Sequence, residues 1–100
     1  MDTIETDDIR REDREGQGRY VRDLPGGDEA YLTFVPVSPD HIIIDYSFVP
    51  PAHRGRNAAL PLIRRAVEDA RAAGAKITPM CGYVSSVMKR HPEWDDVLKR

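Results

Sequence analysis

The sequence predicts a small α/β domain with a mixed sheet, in which an antiparallel N-terminal part precedes a strand, turn, helix, strand crossover and C-terminal helices. Residues 41–48 are rich in the β-branched and aromatic side chains typical of a strand. Over residues 58–73, apolar side chains recur at helical spacing. A helical connection between two strands of one sheet is normally right-handed, so we expect a strand at residues 76–80 to lie parallel to the first.

A β-hairpin is predicted before this unit. Residues 19–24 and 29–35 flank a Pro-Gly-Gly-Asp turn at residues 25–28, whose glycines allow positive φ. The second strand alternates two apolar sets, so we expect both of its faces to be partly covered: Ala30, Leu32 and Phe34 on one, Tyr31, Thr33 and Val35 on the other.

Strict alternation also assigns the faces of the strand at residues 41–48. One face is expected to carry Ile42, Ile44, Tyr46 and Phe48, and the other Ile43, Asp45, Ser47 and Val49. Helix 58–73 has Pro61 in its first turn, where a missing N–H is tolerated, and Gly74 as its stop. A second helix is expected over residues 84–90, after which Trp94, Val97 and Leu98 pack back onto the domain.

Length and composition set limits on function. The 100 residues predict one domain at residues 18–100, preceded by a charged, disordered tail at 1–17 in which residues 9–15 are at most transiently helical. The net charge of -2 gives no basic field for nucleic acid. No segment predicts a membrane span or a leader, and no metal-ligand spacing is present. The single cysteine, Cys81, fits a reducing cytoplasm.

A basic turn precedes the first helix. The segment contains Arg54, Gly55 and Arg56 and leads into a helix N-terminus, where free N–H groups and the helix dipole attract phosphate. The alternative is an ordinary solvated start of a helix.

This turn resembles the acetyl-CoA-binding motif of the GNAT acetyltransferase superfamily. That motif reads Arg or Gln, two residues, Gly, one residue, then Gly or Ala; Arg54 matches its first position and Ala59 its last. Asn57 stands where the motif has Gly, and Asn is the non-glycine residue that best tolerates the left-handed region. Downstream, Pro79-Met80-Cys81-Gly82-Tyr83-Val84 and His91-Pro92-Glu93-Trp94 look like the minimal single-domain GNAT branch. The resemblance covers about residues 18–98.

The resemblance implies a binding mode for coenzyme A. Arg54 and Arg56 would add charge near the pyrophosphate, and the backbone of Phe48 and Val49 would pair with the pantetheine arm. Backbone N–H groups would hold the pyrophosphate, and they belong to Gly55, Arg56, Asn57, Ala58 and Ala59.

The resemblance also implies a chemical role for Cys81, either as a nucleophile that forms an acetyl-thioester or as the acid that protonates the departing CoA thiolate. The alternative is a buried core cysteine. The tyrosine that many GNAT enzymes use as the acid aligns with Met88, and Tyr83 is the nearby phenol. For the base we select Asp45, which could instead satisfy a neighbouring donor; Tyr46, Ser47 and His53 stay open.

The expected function is therefore acetyl-CoA-dependent transfer of an acetyl group to an amine of a protein or small molecule. Two alternatives remain, a non-catalytic acyl-CoA-binding or sensing module of the same fold and an interaction domain without a cofactor. The strands that wall the acceptor site in larger GNAT domains are missing. A large acceptor could dock on the open cleft, or a second copy could supply the wall as a homodimer.

Overall fold

The computed structural model, which describes residues 9–55 and 57–99, contains a five-stranded sheet in the order β1-β2-β3-β4-β5. The strands are β1 (Ile9–Arg14), β2 (Gln17–Asp23), β3 (Glu29–Ser38), β4 (His41–Phe48) and β5 (Lys76–Pro79). Two α-helices, α1 (Leu60–Ala73) and α2 (Gly82–Lys89), are accompanied by 3-10 turns at Pro25–Gly27, Pro51–His53 and Pro92–Val97. Strands β1 to β4 are antiparallel and β5 is parallel to β4, which confirms the mixed sheet and the crossover.

One hydrophobic core joins the helices to a single face of the sheet. Both helices contribute buried side chains to the same cluster as the inner residues of β2 to β5, and the C-terminal turn closes it with Trp94 and Val97. The largest members are Tyr20, Leu32, Phe34, Ile44, Leu62, Ile63, Val67, Ile77, Val84, Met88 and Trp94. The prediction that both faces of β3 are partly covered is confirmed, because Ala30, Leu32 and Phe34 are buried and the residues of the opposite face, Tyr31, Thr33 and Val35, are half-buried.

Strand β1 corrects the expected N-terminal tail. Residues 9–17 are neither disordered nor helical, because Ile9–Arg14 pairs along its whole length with β2. Ile9 is buried, and Arg10 donates to Asp23 at 2.7 Å and to Glu29 at 2.9 Å. Each exposed ion pair contributes little alone, so the backbone pairing carries most of the order. Residues 1–8 lie outside the described part of the chain.

A polar cluster fastens this edge of the sheet to α1. The buried Tyr20 donates its hydroxyl proton to Asp69 at 2.7 Å, and Arg65 donates to the same carboxylate at 3.2 Å. Arg65 also donates to the carbonyl of Ile9 at 3.2 Å, and the guanidinium of Arg11 lies over the Tyr20 ring. Burial, and then the hydrogen bond to Asp69, raise the pKa of Tyr20, so its hydroxyl stays a neutral donor at physiological pH.

The C-terminal end of α1 agrees with the sequence prediction, but the helix begins later than the predicted residue 58. The helix begins at Leu60 with Pro61 in its first turn, and no side chain caps its N-terminus. Gly74 ends it in the left-handed conformation, with φ of 69°. In the part of the chain that the structure describes, no helix has the length and apolar character needed to cross a membrane.

Candidate active site

A β-bulge in β4 sets the geometry of the site. Phe34 pairs with Ile44, but the preceding residue Thr33 pairs with Tyr46, so Asp45 is the extra residue. Beyond the bulge the side chains change faces: Ser47 pairs with the core residue Leu32, and Tyr46 and Phe48 lie on the outer face. The predicted assignment of Tyr46 and Phe48 to the face of Ile44 is therefore wrong, since strict alternation ends at Asp45.

The ladder between β4 and β5 also ends at the bulge. Met80 and Cys81 both donate their backbone N–H groups to the carbonyl of Ile44, at 2.9 Å and 3.2 Å. After this point the chain leaves β5 and enters α2. Among the described residues, no strand pairs with residues 46–49 on the side where β5 pairs with the first half of β4. The two strands therefore separate next to Cys81.

Cys81 stands at the start of this separation. It is half-buried and is the N-cap residue of α2, which begins at Gly82, earlier than the predicted residue 84. Its Sγ lies 3.3 Å from the Oγ of Ser47. Sequence analysis missed this contact, because only the bulge turns Ser47 to the face on which Cys81 lies.

Several backbone donors of the predicted phosphate turn have no backbone acceptor among the described residues. Gly55 and Asn57 have positive φ values of 81° and 55°, so Asn57 adopts the left-handed conformation expected of it. A Cβ added at Gly55 would meet no atom within 4 Å, which leaves open space over the turn. Within the described residues, no backbone acceptor is found for the N–H groups of Gly55, Asn57, Ala58 and Ala59. Arg56 lies outside the described residues.

Two arginines brace this turn. Arg54, predicted to face phosphate, donates its Nε–H to the carbonyl of Val49 at 3.0 Å. Arg22 of β2 donates to the carbonyl of Ala58 at 3.1 Å from within the domain. The second contact was not foreseen, since 36 residues separate the two partners in the chain.

The strand edge, the turn and the first turn of α2 together line a cleft of about 340 Å³, within the usual size range of a small-molecule site. Its lining residues are Tyr46, Ser47, Phe48, Val49, His53, Arg54, Gly55, Asn57, Ala58, Ala59 and Tyr83. Every predicted cofactor-binding residue that the structure describes is in this set.

The remaining candidates have different surroundings. The exposed Asp45 accepts a hydrogen bond from the Thr33 hydroxyl at 2.7 Å, so it lies on the outer face, whereas Cys81 contacts Ser47. His53 is held by Asp28 at 3.1 Å. Met88 is buried, but Tyr83 is 45% exposed and lines the cleft. Of the two positions considered for an acid tyrosine, 83 and 88, only position 83 carries a tyrosine and lines the cleft.

The sheet therefore separates beside a Gly-containing turn and a helix N-terminus, an arrangement that suits a phosphate-bearing ligand. The profile of the GCN5-related N-acetyl-transferase family matches residues 19–97. The chain belongs to this family, and the enzyme is a GNAT-like acetyltransferase.

A solved structure shares the fold. It is the NMR solution structure of a GCN5-like protein from Staphylococcus aureus that carries a provisional N-acetyltransferase assignment. The TM-score is 0.70 at 21% sequence identity, over 93% of this chain and 90% of that chain. No curated protein matches this chain significantly.

Proposed function

We propose that this acetyltransferase takes its acetyl group from acetyl-CoA and transfers it to the amine of a protein or small molecule in the cytoplasm. The observation that carries the proposal is the cleft, which is lined by the turn that leads into α1 and by Ser47. The N–H groups of that turn have no backbone acceptor among the described residues, and the thiol of Cys81 lies behind the cleft lining, 3.3 Å from the Ser47 hydroxyl. Acetyl-CoA carries a pyrophosphate, which suits the turn, and an acetyl thioester, which suits the strand edge next to Cys81.

The pyrophosphate of CoA binds the N–H groups of Gly55, Arg56, Asn57, Ala58 and Ala59. The pantetheine amides pair with the backbone of Phe48 and Val49, along the unpaired edge of β4. In the free protein Arg54 donates to the Val49 carbonyl, so both groups change hydrogen-bond partners when CoA binds. The carbonyl accepts from the pantetheine amide, and Arg54 turns to the phosphate, where a charge-assisted hydrogen bond is stronger.

In direct transfer the acceptor nitrogen attacks the thioester carbon, the bond from that carbon to sulfur breaks, and the Cys81 thiol donates its proton to the departing CoA sulfur. The nitrogen loses its surplus N–H proton to solvent as the C–S bond breaks, and the Cys81 thiolate regains a proton from solvent. In the covalent alternative the Cys81 thiolate displaces CoA and carries the acetyl group until the amine takes it. In both cases Ser47, with its Oγ at 3.3 Å, orients the sulfur.

The proposed base, Asp45, accepts the ammonium proton before attack. Its carboxylate is exposed at the bulge, and its neighbour Tyr46 lines the cleft and is 50% exposed. An acceptor that approaches from the outer face meets both side chains, and no cation among the described residues forms an ion pair with Asp45. The homodimer, in which a second copy of this chain covers the outer face and walls the acceptor site, stays a prediction.

Asp45→Asn tests the base. We expect kcat to fall by roughly two orders of magnitude, with CoA affinity unchanged because the carboxylate lies away from the phosphate turn. Steady-state kinetics and calorimetry measure both quantities. Asp40→Asn, at the exposed turn before β4, is the matched control. Normal turnover in Asp45→Asn would remove Asp45 from the mechanism.

The phosphate site is tested by the double variant Arg54→Ala/Arg56→Ala. Loss of charge-assisted contacts should weaken CoA binding by about tenfold to hundredfold, and the affinity of the wild type should fall in high salt. Arg14→Ala/Arg71→Ala removes the same charge at exposed positions away from the turn. Titration calorimetry should show a defect in the first variant alone. Equal affinities for both variants would place the CoA phosphates elsewhere.

A further inference from the structure

A second cavity lies on the outer face of the sheet, which is the face opposite the two helices. It measures about 290 Å³, and its lining includes Glu12, Arg14, Arg19, Tyr31 and Thr33. These side chains come from β1, β2 and β3. The cavity is therefore separate from the cleft, which is lined by the end of β4, the turn before α1 and the first turn of α2.

Two contacts join this outer cavity to the proposed site of acetyl transfer. The Thr33 hydroxyl, which lines the cavity, donates to the carboxylate of Asp45 at 2.7 Å. The ring of Tyr31 packs against those of Tyr46 and Phe48, with centroids 6.1 Å and 5.6 Å apart. Because Tyr46 and Phe48 line the cleft, an aromatic floor runs from the cleft to the outer cavity.

The two ends of this surface carry opposite charges. Within the outer cavity Arg19 donates to Glu12, so these two charges neutralise each other. The exposed Arg14 forms no ion pair with any described residue, and its guanidinium is available to an anion. At the other end the exposed carboxylate of Asp45 has no cationic partner among the described residues.

The register of the sheet sets the distance between these two charges. One row across the four antiparallel strands consists of Glu12, Arg19, Thr33 and Tyr46. Arg14 on β1 and Asp45 on β4 lie on the same side of this row. Three strand spacings therefore separate their backbones by about 14 Å. An extended peptide rises about 3.3 Å per residue, and long side chains close part of the gap, so a spacing of three residues reaches both charges.

We propose that the acceptor is a lysine in an acidic protein segment, whose ammonium group meets Asp45 while a carboxylate three residues away binds Arg14. The inference rests on the proposed function, because it assigns the acceptor of that acetyl transfer. The segment crosses the aromatic floor, and Arg14 only binds it. A polyamine would bring a second positive charge to Arg14, which is unfavourable, and a short amine would not span the distance.

Two peptides that differ only in charge test this assignment. Each has one central lysine in a glycine background, with blocked ends, and carries either glutamate or glutamine three residues before and three residues after the lysine. Calorimetry measures peptide binding to the full chain in the presence of CoA, for wild type, Arg14→Ala and Arg14→Gln. Acetyl transfer from acetyl-CoA to each peptide is measured on the same samples.

The wild type should bind the glutamate peptide about tenfold more tightly than the glutamine peptide. Both Arg14 variants should bind the two peptides equally, at the affinity of the wild type for the glutamine peptide. Their affinity for CoA and their melting temperatures should not change, because Arg14 is exposed and lies away from the cleft. The control is Lys89→Ala, which removes an exposed charge at the end of α2 and should keep the wild-type preference.

The outcomes separate the inference from the function on which it rests. Equal binding of the two peptides by the wild type, binding of neither, or an intact preference in both Arg14 variants would overturn the assignment of the acceptor. A dimer in sedimentation that Arg14→Ala dissociates would identify a second copy as the occupant and would also overturn it. A preference that the Arg14 variants lose, without acetyl product from either peptide, would support the peptide site but contradict the proposed function.

Discussion

Replacing Cys81 by Ser is expected to reduce acetyl transfer by roughly two to four orders of magnitude, while the fold and CoA affinity persist. The sulfur lies where β4 and β5 separate and only 3.3 Å from the Ser47 hydroxyl. A serine hydroxyl fits the same space but is a far poorer acid and nucleophile than a thiol at neutral pH. Acetyl-CoA consumption, CoA affinity and melting temperature are measured on the same samples.

The control for this variant is Ser86→Ala, an exposed change on α2 that should alter none of the three quantities. If Cys81 only fills space, Cys81→Ser should lower the melting temperature and leave turnover per folded molecule intact. That result would end the catalytic role. Intact mass spectra after incubation with acetyl-CoA separate the two mechanisms, because only the covalent mechanism gives an acetyl adduct that Cys81→Ser loses.

Gly18→Ala is expected to destabilise the domain by about 1–3 kcal/mol, although Gly18 lies on a strand and not in a turn. A Cβ at this position would lie 2.3 Å from the Cζ of Phe34, which is 1% exposed. The ring cannot retreat, because Tyr20 packs against it with centroids 5.2 Å apart. Thermal unfolding should show a melting temperature lower by roughly 5–15 °C.

Gly82→Ala is the matched control, since a Cβ there meets no atom within 4 Å. In the Gly18→Ala background, Phe34→Leu should recover part of the loss by making room for the methyl group, although it costs stability in the wild type. Equal melting temperatures for Gly18→Ala and wild type would mean that the sheet relaxes and that the close approach is not required.

Much of the site could be predicted because its parts are local in sequence. A run of β-branched residues, a basic turn and a periodic helix follow one another within residues 41–73, and the right-handed crossover rule then fixes β5 beside β4. That order also places Cys81 directly after β5, beside β4. The tolerance of Asn57 for positive φ is likewise a property of the residue itself.

The sequence by itself determined the hairpin, the crossover, the C-terminal end of α1 and the turn that leads into this helix, because each depends on side chains close together in the chain. Tertiary structure decided the rest. Strand β1 contains few apolar residues and is ordered through its pairing with β2, and the bulge at Asp45 arises from the register between β3 and β4. That bulge turns Ser47 to the core face, against Cys81, and leaves Asp45 on the outer face. Such contacts join residues distant in the chain, and no local pattern of side chains encodes them.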